Sequence, residues 1–311
     1  MGVIKLQVLF VYLTLVSSKL TNSEIMSIEG KAPKPVVLWH GMGDCCCNPL
    51  SLGRIKDVIE DNVAGIYVKS LKIGSSIAKD IENGFFLNAN TQVEEVCKQL
   101  NDDEQLENGY NAIGFSQGGQ FLRAIAQRCP SPPMLNLITI GSQHQGVYGL
   151  PYCLYPKRWC DYARELLTYG AYLSWVQDYL VQAEYWHDPM KEDEYKAKSI
   201  FLADINNERG KNKTYIKNML KLKNFVMVKF NNDTMVEPKE TEWFGYYKPG
   251  QATEVMSLQE SDLYNKDRLG LKQMDKLGKL KFLAVDGNHL HFTEDWFIEN
   301  IINPYLKNYD H

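Results

Sequence analysis

No dense Lys/Arg cluster occurs anywhere in this chain of 311 residues, whose 34 Lys and Arg against 38 Asp and Glu leave a formal net charge of -4. Nucleic acid is therefore not an expected partner, because a phosphate backbone calls for a basic excess. Neither a G-x-G-x-x-G fingerprint nor a Gly-Lys-Ser/Thr ending is present, which sets aside a phosphate-binding loop. No Cys-x-x-Cys pair repeats and no histidines stand at ligand spacing, so no metal site is expected. Internal repeats and low-complexity tracts are missing as well. No apolar stretch reaches the roughly 20 residues that cross a bilayer, so no transmembrane anchor is expected.

What is present is ordinary globular material, 44% hydrophobic and 23% charged, with enough length for a sizeable core. Near the N-terminus, Lys5 precedes the apolar run Leu6 to Val16 and the small residues Ser17 and Ser18. This reads as a secretory signal peptide over about residues 1–18, with one folded domain expected over 28–311. Cysteines stand at 45, 46, 47, 97, 129, 153 and 160. Entry into an oxidising compartment makes disulfides the default for most of them, and the odd count leaves one thiol over. The sequons at Asn212 and Asn232 fit the same route as glycosylation sites.

Apolar runs at Pro35–His40, Gly65–Ile73, Tyr110–Phe115, Leu135–Ile140, Asn224–Phe230 and Leu280–Val285 read as buried strands. They alternate with helical patterns at Leu50–Val63, Thr91–Leu100, Gly118–Arg128, Asp161–Ala183, Tyr215–Leu222 and Glu294–Leu306. The alternation predicts an α/β fold, a central mostly parallel sheet flanked by helices. It breaks between about 142 and 223, where no strand-like run occurs and Tyr and Trp accumulate. That stretch is expected to be a helical insertion forming a cap over the catalytic edge. Tyr162, Leu166, Tyr169, Leu173, Val176 and Leu180 follow at helical spacing and predict one apolar face, packing the cap onto the core or walling an apolar groove. Tyr246 to Lys279 reads as a long surface excursion.

Gly114-Phe115-Ser116-Gln117-Gly118 is a G-x-S-x-G word between a strand-like run and a helical one, the setting of a nucleophile elbow. A serine hydroxyl needs a base within hydrogen-bond reach and a third group to orient that base. In this kind of fold the order along the chain is Ser, then an acid, then His. His289, just after the last strand-like run, is the expected base, with His291 as an alternative. Asp233, at the end of the run Asn224–Phe230, is the expected acid, ahead of Asp204 and Asp188, because such sheets gather their sites at the carboxyl ends of strands. Two backbone N–H groups must hold the oxyanion. Gln117 supplies one, and Met42, in the loop His40-Gly41-Met42-Gly43-Asp44, is expected to supply the other.

Several words then occur together: His40-Gly41-Met42-Gly43-Asp44, Gly114 to Gln120, Gln143-His144-Gln145-Gly146-Val147, Ala183-Glu184-Tyr185-Trp186-His187-Asp188-Pro189 and Asp267-Arg268-Leu269-Gly270-Leu271. From about Pro35 to the C-terminus the chain closely resembles the lysosomal palmitoyl-protein thioesterases. The resemblance implies an α/β-hydrolase fold without a cofactor, acting in the lysosome on S-palmitoylated proteins or peptides and other long-chain fatty acyl thioesters. It implies arrival by the secretory pathway with some secretion, and a lysosomal sorting receptor as a partner. It carries the nucleophile to Ser116, the acid to Asp233, the base to His289 and the oxyanion amides to Met42 and Gln117. It also implies the disulfides Cys46–Cys47, Cys97–Cys129 and Cys153–Cys160. Cys45 departs from the family pattern and is the odd thiol. Two rival readings are a lipase or carboxylesterase cutting oxygen esters, and an inactive hydrolase fold that binds lipid or protein.

Overall fold

Strands β1 (Val36–Trp39), β2 (Val68–Ser70), β3 (Tyr110–Phe115), β4 (Met134–Ile140), β5 (Asn224–Phe230) and β8 (Leu280–Val285) pair in parallel, in the order β2-β1-β3-β4-β5-β8. The structure is a computed structural model and describes residues 32–149 and 165–307. The signal-peptide reading and the pair Cys153 and Cys160 fall outside the described residues. Every residue of β1 and β3 is buried, which explains why these strands read as continuous apolar runs rather than alternating ones. Their side chains still alternate between two cores. Val37, Trp39, Ala112, Leu137 and Met227 face one side of the sheet, and Val36, Leu38, Ile113, Ile138 and Val228 face the other. With helices on both faces, this is an α/β-hydrolase architecture.

From β1 the chain steps outward to β2 and then crosses back, placing β3 on the opposite side of β1. The carboxyl ends of β1 and β3, where Trp39 pairs with Gly114, thus flank the point at which strand order reverses. Open parallel sheets bind ligands at such a point.

Between β4 and β5 the described residues form helices and no strand. The long helix expected over Asp161–Ala183 is broken: residues 165–170 are helical, and Ser174–Tyr179 and Val181–Glu184 are separate pieces. Leu173 and Leu180 have extended backbone, and the Gln177 side-chain amide donates to the carbonyls of Ala171, before the first break, and Ala183, beyond the second. The expected apolar stripe is split as a result. Val176 is buried, whereas Tyr169 and Leu173 are 78% and 48% exposed.

Tyr246 to Lys279 is not simply a surface excursion, because Leu269, Leu271 and Met274 are fully buried in the core. Its short pieces, the two-stranded β6 (Tyr246–Tyr247) with β7 (Val255–Met256) and the helices Asp262–Asn265 and Leu271–Lys276, are below the length at which periodicity is legible. The helix Ile77–Phe86 is absent from the sequence reading; its signal is local, Ser76 capping the N–H of Lys79. Cys46 is bonded to Cys47 and Cys97 to Cys129, while Cys45 is a buried free thiol.

Candidate active site

Ser116 stands between β3 and the helix Gln117–Arg128 with φ 51° and ψ -122°, a left-handed conformation that costs a non-glycine residue about 1–3 kcal/mol. Its surroundings hold it there. The Ser116 N–H donates to Ile140 of β4, and its carbonyl accepts the N–H of Gly119. Strand and helix meet through paired glycines: a Cβ on Gly114 would sit 2.4 Å from Cα of Gly119, and one on Gly118 would sit 2.4 Å from the carbonyl oxygens of Trp39 and His40. Both flanking glycines of the motif are thus required by contact, and the hydroxyl is left facing outward at the sheet's carboxyl edge.

Nε2 of His289 lies 3.0 Å from Oγ of Ser116, and Nδ1 lies 2.5 Å from Oδ2 of Asp233. The two loops meet because β5 and β8 are neighbours and end together. Asn288 ties them: its Oδ1 accepts the N–H and hydroxyl of Thr234 and also the N–H of His289. Gly141 clears the space, since a Cβ there would come within 3.1 Å of the His289 ring. Asp233 Oδ1 accepts the N–H groups of Met235 and Val236. Burial opposes ionisation of Asp233, but the hydrogen bond from His289 and that from the Val236 N–H help to outweigh it and hold the group below the usual carboxylate value.

A cavity of about 460 Å³ opens on this chain of hydrogen bonds. Leu52, Ile55 and Phe292 line it from the body of the domain, and Leu167, Tyr185 and Trp186 from the insertion. The groove expected from the aromatic insertion is therefore two-sided. Its body half, on the helix Leu52–Asn62, carried no separate signal in the sequence because an inward-facing Leu or Ile looks like any core residue.

Residues 35–289 match the sequence model of the palmitoyl protein thioesterase family. The chain belongs to that family. It is 55% identical over 272 residues to palmitoyl-protein thioesterase 1 of Caenorhabditis elegans, covering 88% of this chain and 91% of that one. Identity to palmitoyl-protein thioesterase 3 of Dictyostelium discoideum is 38% over 282 residues, covering 89% and 93%. Against the lysosomal thioesterase PPT2 homolog of Drosophila melanogaster it is 30% over 286 residues, covering 88% and 92%.

In this member of the palmitoyl-protein thioesterases, the loop carrying Met42 is fastened from two sides. A Cβ on Gly41 would lie 3.2 Å from Cβ of Ser116, so the loop passes directly beside the serine. From the insertion, Gln182 donates to Sδ of Met42 at 2.8 Å, and the Tyr185 hydroxyl donates to Oε1 of Gln117 at 3.1 Å. From below, His40 anchors the loop through both ring nitrogens: Nδ1 faces the Gly41 carbonyl at 2.8 Å and Nε2 faces Oδ1 of Asp80 at 3.0 Å. Both partners are acceptors, so only the imidazolium satisfies both contacts. Asp80 in turn accepts the N–H groups of Ile73 and Cys46.

Burial disfavours the charge on each member of this pair, yet their mutual hydrogen bond raises His40 above 6.5 and lowers Asp80 below 3.8. The raised histidine contributes stability that is complete below 6.5 and lost as pH rises through its folded value. The depressed aspartate contributes above 3.8 and loses its share as pH falls through its own folded value. Asp80→Ala leaves a buried histidine without its partner and is expected to lower unfolding free energy by about 3–5 kcal/mol near pH 5, with a smaller gap near pH 8. Urea denaturation at the two pH values measures it.

The other candidates stand elsewhere. His291 is exposed, and its N–H bonds to Asn288. Asp204 pairs with Arg128 and the Tyr215 hydroxyl, and buried Asp188 accepts the N–H of Met190. His144 stacks on Phe244 with Nε2 on the Thr139 hydroxyl, and burial drives its pKa far down, so it is a neutral core residue. Asn212 and Asn232, the two sequon asparagines, are exposed.

Proposed function

We propose that this chain is a palmitoyl-protein thioesterase of the lysosome, removing long-chain fatty acyl groups from cysteines of S-acylated proteins. The observation that carries the reading is the hydrogen-bonded series Ser116, His289, Asp233 opening onto an apolar cavity. Ser116 attacks the thioester carbonyl while His289 takes its proton, and Asp233 keeps the imidazole in the tautomer that does so. The N–H groups of Met42 and Gln117 receive the oxyanion. The intermediate collapses as its C–S bond breaks, and the departing cysteine sulfur, whose thiol has a pKa of about 8.5, leaves readily and takes up the proton held by His289. Water activated by His289 then releases the fatty acid from the acyl-Ser116 ester.

The acyl chain is the source of binding energy, at about 0.8 kcal/mol per buried CH₂. Leu52, Ile55, Phe292, Leu167, Tyr185 and Trp186 supply the apolar walls. No helix among the described residues is long and apolar enough to cross a membrane. A secretory route to the lysosome, by way of a sorting receptor, fits the apolar N-terminal run and the exposed sequon asparagines at 212 and 232 as glycan acceptors.

Turnover of an S-palmitoyl peptide beside its matched O-palmitoyl serine ester tests the reading. The thioester is expected to be cut faster, because thiolate is the better leaving group and depends less than an alkoxide on the proton that His289 supplies. A strong preference for the oxygen ester would make the protein a lipase or carboxylesterase instead.

A further inference from the structure

Behind Asp233 lies a carboxyl group that the relay of Ser116, His289 and Asp233 leaves unused. Glu242 sits on the 3₁₀ turn Lys239–Trp243 and is 1% exposed. One of its oxygens, an oxygen of Asp233 and a ring nitrogen of His289 all lie within 4.8 Å of one another. Its Oε2 accepts the N–H of Phe230 at 2.8 Å, while its Oε1 is buried and meets no donor among the described residues. Two carboxylate anions at this separation, both removed from water, repel each other. A buried oxygen that faces a second carboxylate and no donor is satisfied when it carries the proton itself.

The neighbours favour that state. Burial, then the hydrogen bond and charge of Asp233, push Glu242 up to about 10, against the opposing pull of the Phe230 N–H and of Lys229. The Lys229 ammonium lies over the Trp243 ring, 4.3 Å from its centroid. Asp233 has room to accept. Its three donors are Met235, Val236 and His289, and an ionised carboxylate offers about four lone-pair sites. A cation held by the same three side chains would have to break the 2.5 Å bond between His289 and Asp233.

We propose that Glu242 is a positioning residue: as a carboxylic acid it donates a hydrogen bond to Asp233 and holds that carboxylate in the orientation His289 requires. The assignment rests on the hydrolase reading above. It has two consequences for the pH dependence of kcat/KM. A donor bonded to Asp233 reduces the basicity of that carboxylate and hence its pull on the His289 imidazolium, so the relay keeps working further into the acid range. At high pH, ionisation of Glu242 removes the donor and sets a second anion beside Asp233.

The test is the pH profile of kcat/KM for an S-palmitoyl peptide with wild type, Glu242→Gln and Glu242→Met. Glutamine keeps the shape, donates to Asp233 and accepts from Phe230, but cannot ionise. It is expected to stay within about threefold of wild type near neutrality and to lose the alkaline inflection. Methionine keeps the volume without the donor. It is expected to fall about tenfold and to move the acid inflection up by about one unit.

A Gln variant as impaired as Met, or a Met variant with the wild-type profile, would overturn the proposal. Where Met does not fold, as judged by thermal melting, retention of the alkaline inflection by Gln overturns it alone. Ser116→Ala separates the two claims. Hydrolysis at the original rate after that change sinks the acyl-serine reading, whereas a silent Ser116→Ala variant together with wild-type profiles for Glu242→Gln and Glu242→Met sinks only the role of Glu242.

Discussion

Ser116→Ala is expected to lower kcat for an S-palmitoyl peptide by about 10⁵–10⁶-fold, the loss seen when the nucleophile is removed from a unit that works as one. Alanine also carries a Cβ, so the strained backbone at φ 51° is neither relieved nor worsened, and the fold should persist. The contacts that enforce this turn, Gly114 against Gly119 and Gly118 against the end of β1, are untouched. Thermal melting should therefore stay close to wild type while turnover and labelling by a fluorophosphonate probe both disappear. Hydrolysis at the original rate would rule out the acyl-serine mechanism. Loss of activity with a lowered melting temperature would instead point to damage at the elbow.

Changing His289 should be nearly as severe. With its Nε2 3.0 Å from the Ser116 hydroxyl and its Nδ1 on Asp233, His289 is the only histidine hydrogen-bonded to that serine among the described residues. His289→Ala is expected to cost about 10⁴–10⁶-fold in kcat, since among the described residues no other side chain is hydrogen-bonded to the Ser116 hydroxyl. His291→Ala should stay within about twofold, because removing an exposed side chain away from the hydrogen-bonded series disturbs little. Steady-state kinetics of the two variants side by side make the comparison. A large loss from His291→Ala with little from His289→Ala would reverse the assignment of the base.

The site was unevenly legible. Ser116 could be read because its turn chemistry is local: a buried run, a serine between glycines and an amphipathic run follow one another within about twenty residues. The strand β3 ends where its buried run ends, at Phe115, as a strand covered on both faces does, and β5 and β8 end at the apolar Phe230 and Val285, with Lys229 and Lys281 at partly exposed positions within them. Spacing predicts one helix over Asp161–Ala183, but extended backbone at Leu173 and Leu180 splits it, and the Gln177 side-chain amide joins Ala171 and Ala183 across the pieces, which periodicity cannot register. Glu242 and the pair His40 and Asp80 carried no signal. A buried carboxyl group has the same letter as a solvated one, and most are solvated.

Local pattern was thus sufficient for the α/β class, the elbow at Ser116, the break in alternation after β4, and the order in which serine, acid and histidine follow along the chain. All of these depend on residues close together in sequence, where spacing and turn preference act directly. The hydrogen-bond contact of His289, and not of His291, with Ser116 is visible only in three dimensions, across 173 positions. So are the contact of His289 with Asp233 and of Asp204 with Arg128 instead, the two-sided apolar cavity and the proximity of Glu242 to Asp233. Each depends on burial and on distances between distant segments, quantities set by how β5 and β8 lie side by side and by how the insertion packs against the sheet's carboxyl edge.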